Sequence, residues 1–302
     1  MRLGSRGSAL AMTQAEHVAR LLGEGVEVVA IATSGDGTGA SAAGDKTRWV
    51  DALEAALAAG EIDLAVHSAK DVPGELSDGL ELLGAPARAD ARDALCGAAS
   101  VEQLPRGARI GTSSLRRLAQ LRAAREDIEV TALRGNVDTR LRRLAARHEG
   151  LDAIVLARAG LERLGRDDAV TGVLDERRFV PAPGQGTLVL EGRAEDESAR
   201  SAAGSISDRA AFDCLLAERS LARDLGASCH TPLGAHAVPV AGALVIRSWV
   251  GLPDGSAWIA DELDGPREEP ESLGALAAAR LRAVGAEDLL RRAEELAGRA
   301  GA

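Results

Sequence analysis

The chain has 302 residues, of which 46% are hydrophobic and 27% charged, a balance that excludes disordered and collagen-like classes and predicts two or three folded domains. A formal net charge of -10 opposes duplex binding, and an aromatic content of 2% without a single Tyr offers nothing for base stacking, so no nucleic acid partner is expected. No run approaches the ~18 apolar residues of a membrane span, and Met1 to Arg6 lack the apolar core of a secretion signal, so the sequence predicts no membrane association and a cytoplasmic location.

From the N-terminus, short β-branched runs alternate with amphipathic stretches, the rhythm of an α/β fold. Strands are predicted at 26–33, 62–67, 108–111, 128–132 and 151–156, and helices at 9–22, 48–59, 114–125 and 137–147. Each helix begins beside a Ser, Thr, Asn or Gly with an Arg close by, an arrangement that points amide donors and guanidinium groups at carboxylates. Gly35 to Gly44 has little to pack and reads as a lid between strand and helix. Pro- and Gly-bearing breaks near 85–93 and 180–186 read as hinges. Beyond residue 206 the character changes to a helix at 208–224, a loop holding Cys229, alternating strands at 236–262 and two helices at 272–300, which predicts a separate α+β domain.

Three segments concentrate chemistry. In His67-Ser68-Ala69-Lys70-Asp71-Val72-Pro73, polar groups follow an apolar strand at the end where open α/β sheets bind ligands, and Lys70 adjoins Asp71, a carboxylate able to hold, give or receive a proton. A surface ion pair is the other reading of that segment. Of 36 basic residues only Lys46 and Lys70 are lysine, and an ammonium differs from guanidinium in being compact and able to lose its proton. Gly111-Thr112-Ser113-Ser114-Leu115-Arg116-Arg117 combines amides, hydroxyls and two guanidinium groups at a helix start. The design recurs from Arg134 to Arg140, where Gly135 permits close backbone approach and Asn136 caps the helix. With Arg6 and Arg163, the arginines exceed what one carboxylate needs and imply a polyanionic, extended ligand, whereas Arg122, Arg142 and Arg143 read as solvated helix charges. Cys229 sits in a glycine-flanked loop suited to a nucleophilic thiol, with a buried structural thiol as the other reading. Cys96 and Cys214 fall in apolar patterns and read as core, and three cysteines at no metal-like spacing predict no metal site.

These segments together resemble the porphobilinogen deaminase (hydroxymethylbilane synthase) family along essentially the whole chain. Ordered blocks carry the resemblance: Leu3 to Ala11, His67 to Pro73, Thr112 to Arg117, Arg134 to Arg140, Pro181-Ala182-Pro183-Gly184-Gln185-Gly186, and the Cys229 loop preceded by Ala217-Glu218-Arg219. The resemblance implies a transferase of haem and related tetrapyrrole synthesis that joins four porphobilinogen molecules head to tail, with release of ammonia, into hydroxymethylbilane. It implies a dipyrromethane cofactor held by a thioether to Cys229 as primer. Asp71 matches the family's catalytic aspartate and Lys70 a lysine that contacts cofactor or substrate carboxylate. The matching positions assign Ser68, Thr112, Ser113, Ser114, Arg116, Arg117 and Arg140 to the cofactor. Arg6, Ser8, Gln14, Arg134, Arg140, Arg163 and Gln185 are assigned to the substrate.

The family fold implied is two α/β domains resembling type 2 periplasmic binding proteins, with a cleft between them, plus a smaller C-terminal α+β domain. The expected boundaries are 1–88 with 186–205, 89–185, and 206–302, in a monomeric protein. Where the family usually carries Gly-Lys-Gly-x-Phe, the chain reads Gly44-Asp45-Lys46-Thr47-Arg48-Trp49, placing Lys46 and Trp49 in the lid with Trp49 instead of the phenylalanine. The alternative from another class is an anion-binding protein that uses the same cleft without turnover.

Overall fold

The computed structural model describes residues 1–32, 47–227 and 231–300. The predicted lid loop at 35–44, Lys46 and Cys229 therefore lie outside the described residues, as does the side chain of Trp49. In chain order the first elements are β1 (Arg2–Arg6), α1 (Ala9–Leu22), β2 (Glu27–Ile31), α2 (Thr47–Ala58), β3 (Leu64–Ser68) and β4 (Leu80–Gly84). They are followed by β5 (Asp93–Cys96), β6 (Arg109–Gly111), α3 (Leu115–Ala124), β7 (Glu129–Thr131), α4 (Val137–Ala145), β8 (Ala153–Ala157), α5 (Arg158–Arg163) and β9 (Gly172–Val173). The chain ends with β10 (Leu188–Arg193), α6 (Glu197–Ile206), α7 (Arg209–Asp224), β11 (Leu233–Val240), β12 (Ala243–Gly251), β13 (Trp258–Pro266), α8 (Pro270–Ala283) and α9 (Ala286–Ala300).

Two sheets of five strands share one plan. The first has the order β2-β1-β3-β10-β4 and the second β7-β6-β8-β5-β9. In each, three strands run parallel, and the strand in fourth place is antiparallel to both its neighbours. The two differ in continuity: β5 opens the second sheet, whose strands β5 to β9 are consecutive in the chain, whereas β10 comes after the second sheet in sequence yet completes the first. The chain thus crosses between the two units at 85–92 and again at 174–187. Parallel sheets need both faces covered. Leu3, Leu64 and Leu190 pack under Ala15, Val18 and Ala203 of α1 and α6, while Leu53, Leu57 and Ile62 close the opposite face.

Helix starts are fixed by short polar side chains that accept the free amides of the first turn. Ser8 accepts from Ala11 N at 3.4 Å, Ser114 from Arg117 N at 3.5 Å, Asn136 from Thr139 N at 2.9 Å and Asp208 from Ala211 N at 2.9 Å. The C-terminal part folds as an antiparallel sheet, β11-β12-β13. It is backed by α7, α8 and α9 through one core that includes Leu221, Leu244, Ile246, Leu273 and Leu281. Cys214 belongs to that core and Cys96 to the core of the second sheet, both as buried thiols. Burial pushes Cys96 up to about 11 and Cys214 up to about 12, which leaves both thiols protonated and unreactive.

The two crossing segments touch each other and the third unit. Ala89 N donates to Gly186 O at 3.2 Å. A Cβ on Gly186 would lie 2.5 Å from Ala89 O, and the residue has φ +88°, so only glycine fits this approach. Glu218 of α7, fully buried, accepts from Arg88 Nη1 at 2.7 Å, from Gly184 N at 2.6 Å and from Ala237 N at 2.7 Å. One carboxylate thereby joins both crossings and β11. Replacing it by alanine leaves the Arg88 guanidinium without its anion in a dry site. Glu218→Ala is expected to lower the unfolding free energy by about 3–5 kcal/mol, read from urea denaturation; a loss below about 1 kcal/mol would show that the crossings are held by other contacts.

Candidate active site

The site begins where β3 ends. Ala69 to Asp71 form a single tight helical turn after Ser68, anchored by Ala69 N donating to Thr187 O at 3.0 Å. Gly184, with φ +72°, lies so close that a Cβ there would sit 2.9 Å from Lys70 N. The second crossing segment is thus pressed directly onto the turn that carries Lys70 and Asp71. A cavity of 480 Å³ opens from this turn. Lys70, Asp71, Ser114, Arg116, Arg117 and Gln185 line it, and Ala227 and Thr231, the described residues on either side of Cys229, form another part of its wall. The sequence reading and the structure therefore bring together the Lys70–Asp71 turn, the start of α3 and the approaches to Cys229.

The first two arginines of α3 are turned inward. Arg116 and Arg117 are 4% and 7% exposed, and each meets the buried carboxylate of Asp93 at the start of β5. Arg116 Nη2 lies 2.9 Å from Asp93 Oδ2, and Arg117 Nη2 2.7 Å from Asp93 Oδ1. Gln185 Nε2 donates to the same carboxylate at 2.8 Å, while Arg116 Nη1 donates to Val180 O at 2.8 Å and Arg117 Nη1 to Val155 O at 3.1 Å. Cations in the first turn of a helix oppose its dipole, and Asp93 offsets that cost. Burial by itself would push the Asp93 carboxyl up, but the Arg116 and Arg117 guanidinium groups outweigh it and hold the group well below the usual carboxylate range. Two guanidinium groups against one carboxylate leave a net positive charge beside the cavity. Arg116 Nε is buried with no hydrogen-bond acceptor among the described residues.

Other predicted residues stand further out. Gln14 and Ser68 hydrogen-bond each other at 3.0 and 3.2 Å. Thr112 Oγ1 accepts from Ser114 N at 3.2 Å, and Ser113 is exposed beside it. Ser8 caps α1 and Arg6 ends β1. Arg140 Nε donates to Gly135 O at 2.7 Å and Arg163 Nη2 to Gly186 O at 2.7 Å; burial pushes each guanidinium down to about 10. Arg134 is exposed. Thus Arg6, Ser8, Gln14, Ser68, Thr112, Ser113, Arg134, Arg140 and Arg163 are not among the residues that line the cavity itself.

The sequence reading assigned no role to Asp93, Arg88, Glu218 or Arg219. Arg219 lines the cavity and donates to the backbone of the turn after Asp71. Asp93 and Glu218 look like ordinary charges in a strand and a helix; each is an acidic residue at a position where the pattern demands burial, and Glu218 also lies in the Ala217-Glu218-Arg219 block that carries the resemblance. Among the described residues no group of three or more His, Cys, Asp or Glu is placed to hold a metal ion, and no helix is long and apolar enough to cross a membrane.

Residues 1–201 match the family described as porphobilinogen deaminase, dipyromethane cofactor binding domain, and residues 212–283 match the porphobilinogen deaminase C-terminal domain. The chain belongs to the porphobilinogen deaminase family. A porphobilinogen deaminase of Thiobacillus denitrificans is 44% identical, covering 96% of this chain and 97% of its own. One from Deinococcus radiodurans is also 44% identical, covering 97% and 98%. Among solved structures, a TRAP periplasmic solute binding protein from Ralstonia eutropha aligns with TM-score 0.41 and 12% identity, covering 71% of this chain and 79% of that one. As the sequence implied, the fold of this porphobilinogen deaminase family member is two α/β units and a smaller C-terminal α+β unit.

Burial pushes the Lys70 ammonium down to about 8, against the opposing pull of Asp71. The unfolded chain keeps that proton up to the ordinary value near 10.5. Between the two values the unfolded state binds more protons, so stability rises with pH, and the penalty on the folded state is present below about pH 8 and gone above about 10.5. The stability gained by Lys70→Met over the native chain, both free of cofactor, is therefore expected to shrink by about 1–2 kcal/mol from pH 7 to pH 10.5, solvent at this half-buried site reducing the full effect. Urea titrations at the two pH values measure it, and an unchanged difference would show that Lys70 titrates as an ordinary lysine.

Proposed function

We propose that the chain condenses four porphobilinogen molecules head to tail into hydroxymethylbilane, with Asp71 as the reacting carboxylate, Lys70 beside it and Cys229 as the covalent anchor. The observation that supports these roles is the cavity in which the Lys70–Asp71 turn faces Arg116 and Arg117 and both flanks of Cys229. Its donors fit a carboxylate-bearing pyrrole chain: the Asp93-bound arginine pair keeps an excess positive charge, and Arg116 Nε is a buried donor with no acceptor among the described residues. A dipyrromethane linked to Cys229 supplies the pyrrole primer on which the tetrapyrrole is built. Lys70, Arg116 and Arg117 would hold its acetate and propionate groups by charge-assisted hydrogen bonds, with Ser68, Thr112, Ser113, Ser114 and Arg140 as the further cofactor residues. Arg6, Ser8, Gln14, Arg134, Arg163 and Gln185 serve the incoming substrate and the lengthening product, and Lys46 and Trp49 the lid.

Each addition breaks the aminomethyl C–N bond of porphobilinogen, releases ammonia, forms one C–C bond and removes one pyrrole α-proton. Asp71 stabilises the substrate cation left when ammonia departs, because a carboxylate in a partly dry site interacts with developing positive charge far more strongly than in water. The same carboxylate is placed to accept the proton that is lost afterwards. A binding-only role in the same cleft is not favoured, since the family matched is the enzyme with its cofactor domain. The chain acts as a cytoplasmic monomer divided at 1–88 with 186–205, 89–185 and 206–302, porphobilinogen being its small-molecule partner.

Intact-protein mass spectrometry with peptide mapping tests the anchor, and steady-state turnover of porphobilinogen tests the carboxylate. The native chain is expected to carry the mass of two linked pyrrole units on the Cys229 peptide and Cys229→Ala none. Asp71→Asn is expected to retain that mass while losing turnover by a factor of at least about 100. Cofactor on Cys229→Ala, or native turnover by Asp71→Asn, would refute the corresponding assignment.

A further inference from the structure

The turn that carries Asp71 is gripped from outside its own sheet. Arg219, on α7 of the C-terminal unit, donates from Nη2 to Pro73 O at 2.6 Å and Gly74 O at 3.1 Å and from Nη1 to Val72 O at 3.4 Å. Three successive carbonyls immediately after Asp71 thus converge on one guanidinium group. One turn earlier on the same helix, Leu215 packs fully buried against Ala69 and Val72, the residues that bracket Lys70 and Asp71. The helix touches the turn twice, once by apolar contact and once by a forked donor.

The choice of acceptors matters. Elsewhere in this region arginines meet carboxylates: Arg88 pairs with Glu218, and Arg116 and Arg117 with Asp93. Arg219 instead donates to neutral backbone, although burial, reinforced by Arg223, pushes its guanidinium down to about 10. A half-buried cation committed to carbonyls fixes backbone geometry through its planar fork. The same helix ends at Asp224 and leads into the segment that contains Cys229.

We propose that Arg219 is a positioning residue for Asp71: by holding the carbonyls of Val72, Pro73 and Gly74 it fixes the carboxylate in the frame of the helix that leads to Cys229. This inference rests on Asp71 being the reacting carboxylate. Small displacements of a reacting group are costly, a shift of about 1 Å being worth up to ~100-fold in rate, so a residue that sets the position of Asp71 acts on kcat.

The test is a double-mutant cycle on enzyme whose cofactor loading has been verified by intact mass. Arg219→Met is expected to lower kcat about tenfold or more with KM within about twofold of native. Arg219→Lys, which keeps the charge but lacks the fork, should recover part of the loss. In an Asp71→Glu background, where the carboxylate is already displaced, the same Arg219→Met change should cost less than about threefold, because residues that act through one another are not additive. A full tenfold cost in that background overturns the proposal, and so does a rise in KM at native kcat, which would make Arg219 a direct ligand of substrate carboxylate. Native kcat in both Arg219 variants overturns it as well. If Arg219→Met does not fold, Arg219→Lys carries the cycle, and failure of both to fold assigns Arg219 to stability and overturns the proposal. Native turnover by Asp71→Asn would instead remove the reading on which the inference stands.

Discussion

The architecture depends on a carboxylate sealed from water at the junction of three units. Glu218 is fully buried and takes hydrogen bonds from a guanidinium on one crossing segment, an amide on the other and an amide of β11. A buried charge of this kind is tolerable only when its lone pairs are all engaged in good geometry, so the three donors must arrive together. Everything around the cavity follows from that demand. The crossing that supplies Gly184 also supplies Gln185 to Asp93 and Thr187 to the Ala69 turn. Locking one therefore places the arginine pair and the Lys70–Asp71 turn relative to each other.

Asp93 solves a second electrostatic problem. A cleft for a polyanion needs positive charge before its ligand arrives, yet two guanidinium groups held side by side at the positive end of a helix repel each other and the helix dipole. One carboxylate between them removes most of that repulsion and still leaves a cation in excess. Arg117 is fixed through Nε and Nη2 on Asp93 Oδ1 and Arg116 through Nη2 on Oδ2, and each also donates to a backbone carbonyl, so the donors facing the cavity are preorganised rather than drawn from mobile surface side chains.

How much of this was legible in the sequence varies with the physics of each element. Helices with a short polar cap and a clear apolar stripe, such as 9–22 and 114–125, appear within a residue or so of their structural limits, α1 at Ala9–Leu22 and α3 at Leu115–Ala124. Strands β1, β4, β9 and β10 were not foreseen: each is short and contains glycine, and β10 joins β3 and β4 across the whole second unit. The Lys70–Asp71 turn and the Arg116–Arg117 helix start were visible as polar residues at strand ends and do line one cavity. What local sequence cannot display is which charges are sealed inside. Glu218 and Asp93 are spelled like surface acids, and only the crossing topology buries them. The outer arginines were grouped on residue type alone, whereas the structure commits Arg140 and Arg163 to the backbone oxygens of Gly135 and Gly186.

The late return of β10 to the first sheet has a consequence for biosynthesis. In the first sheet, β4 is joined to the rest only through β10, a strand that follows the second unit in the chain. While the ribosome is still making the second unit, the first cannot close: the edge of β3 waits unpaired, β4 has no neighbour, and the apolar face later covered by Leu190 stays open. Open strand edges and exposed apolar surface are what aggregation and chaperones both recognise. Synthesis of the N-terminal half alone thus yields an adhesive intermediate rather than a finished domain, and the first unit reaches its native state only after the second has been threaded between its strands.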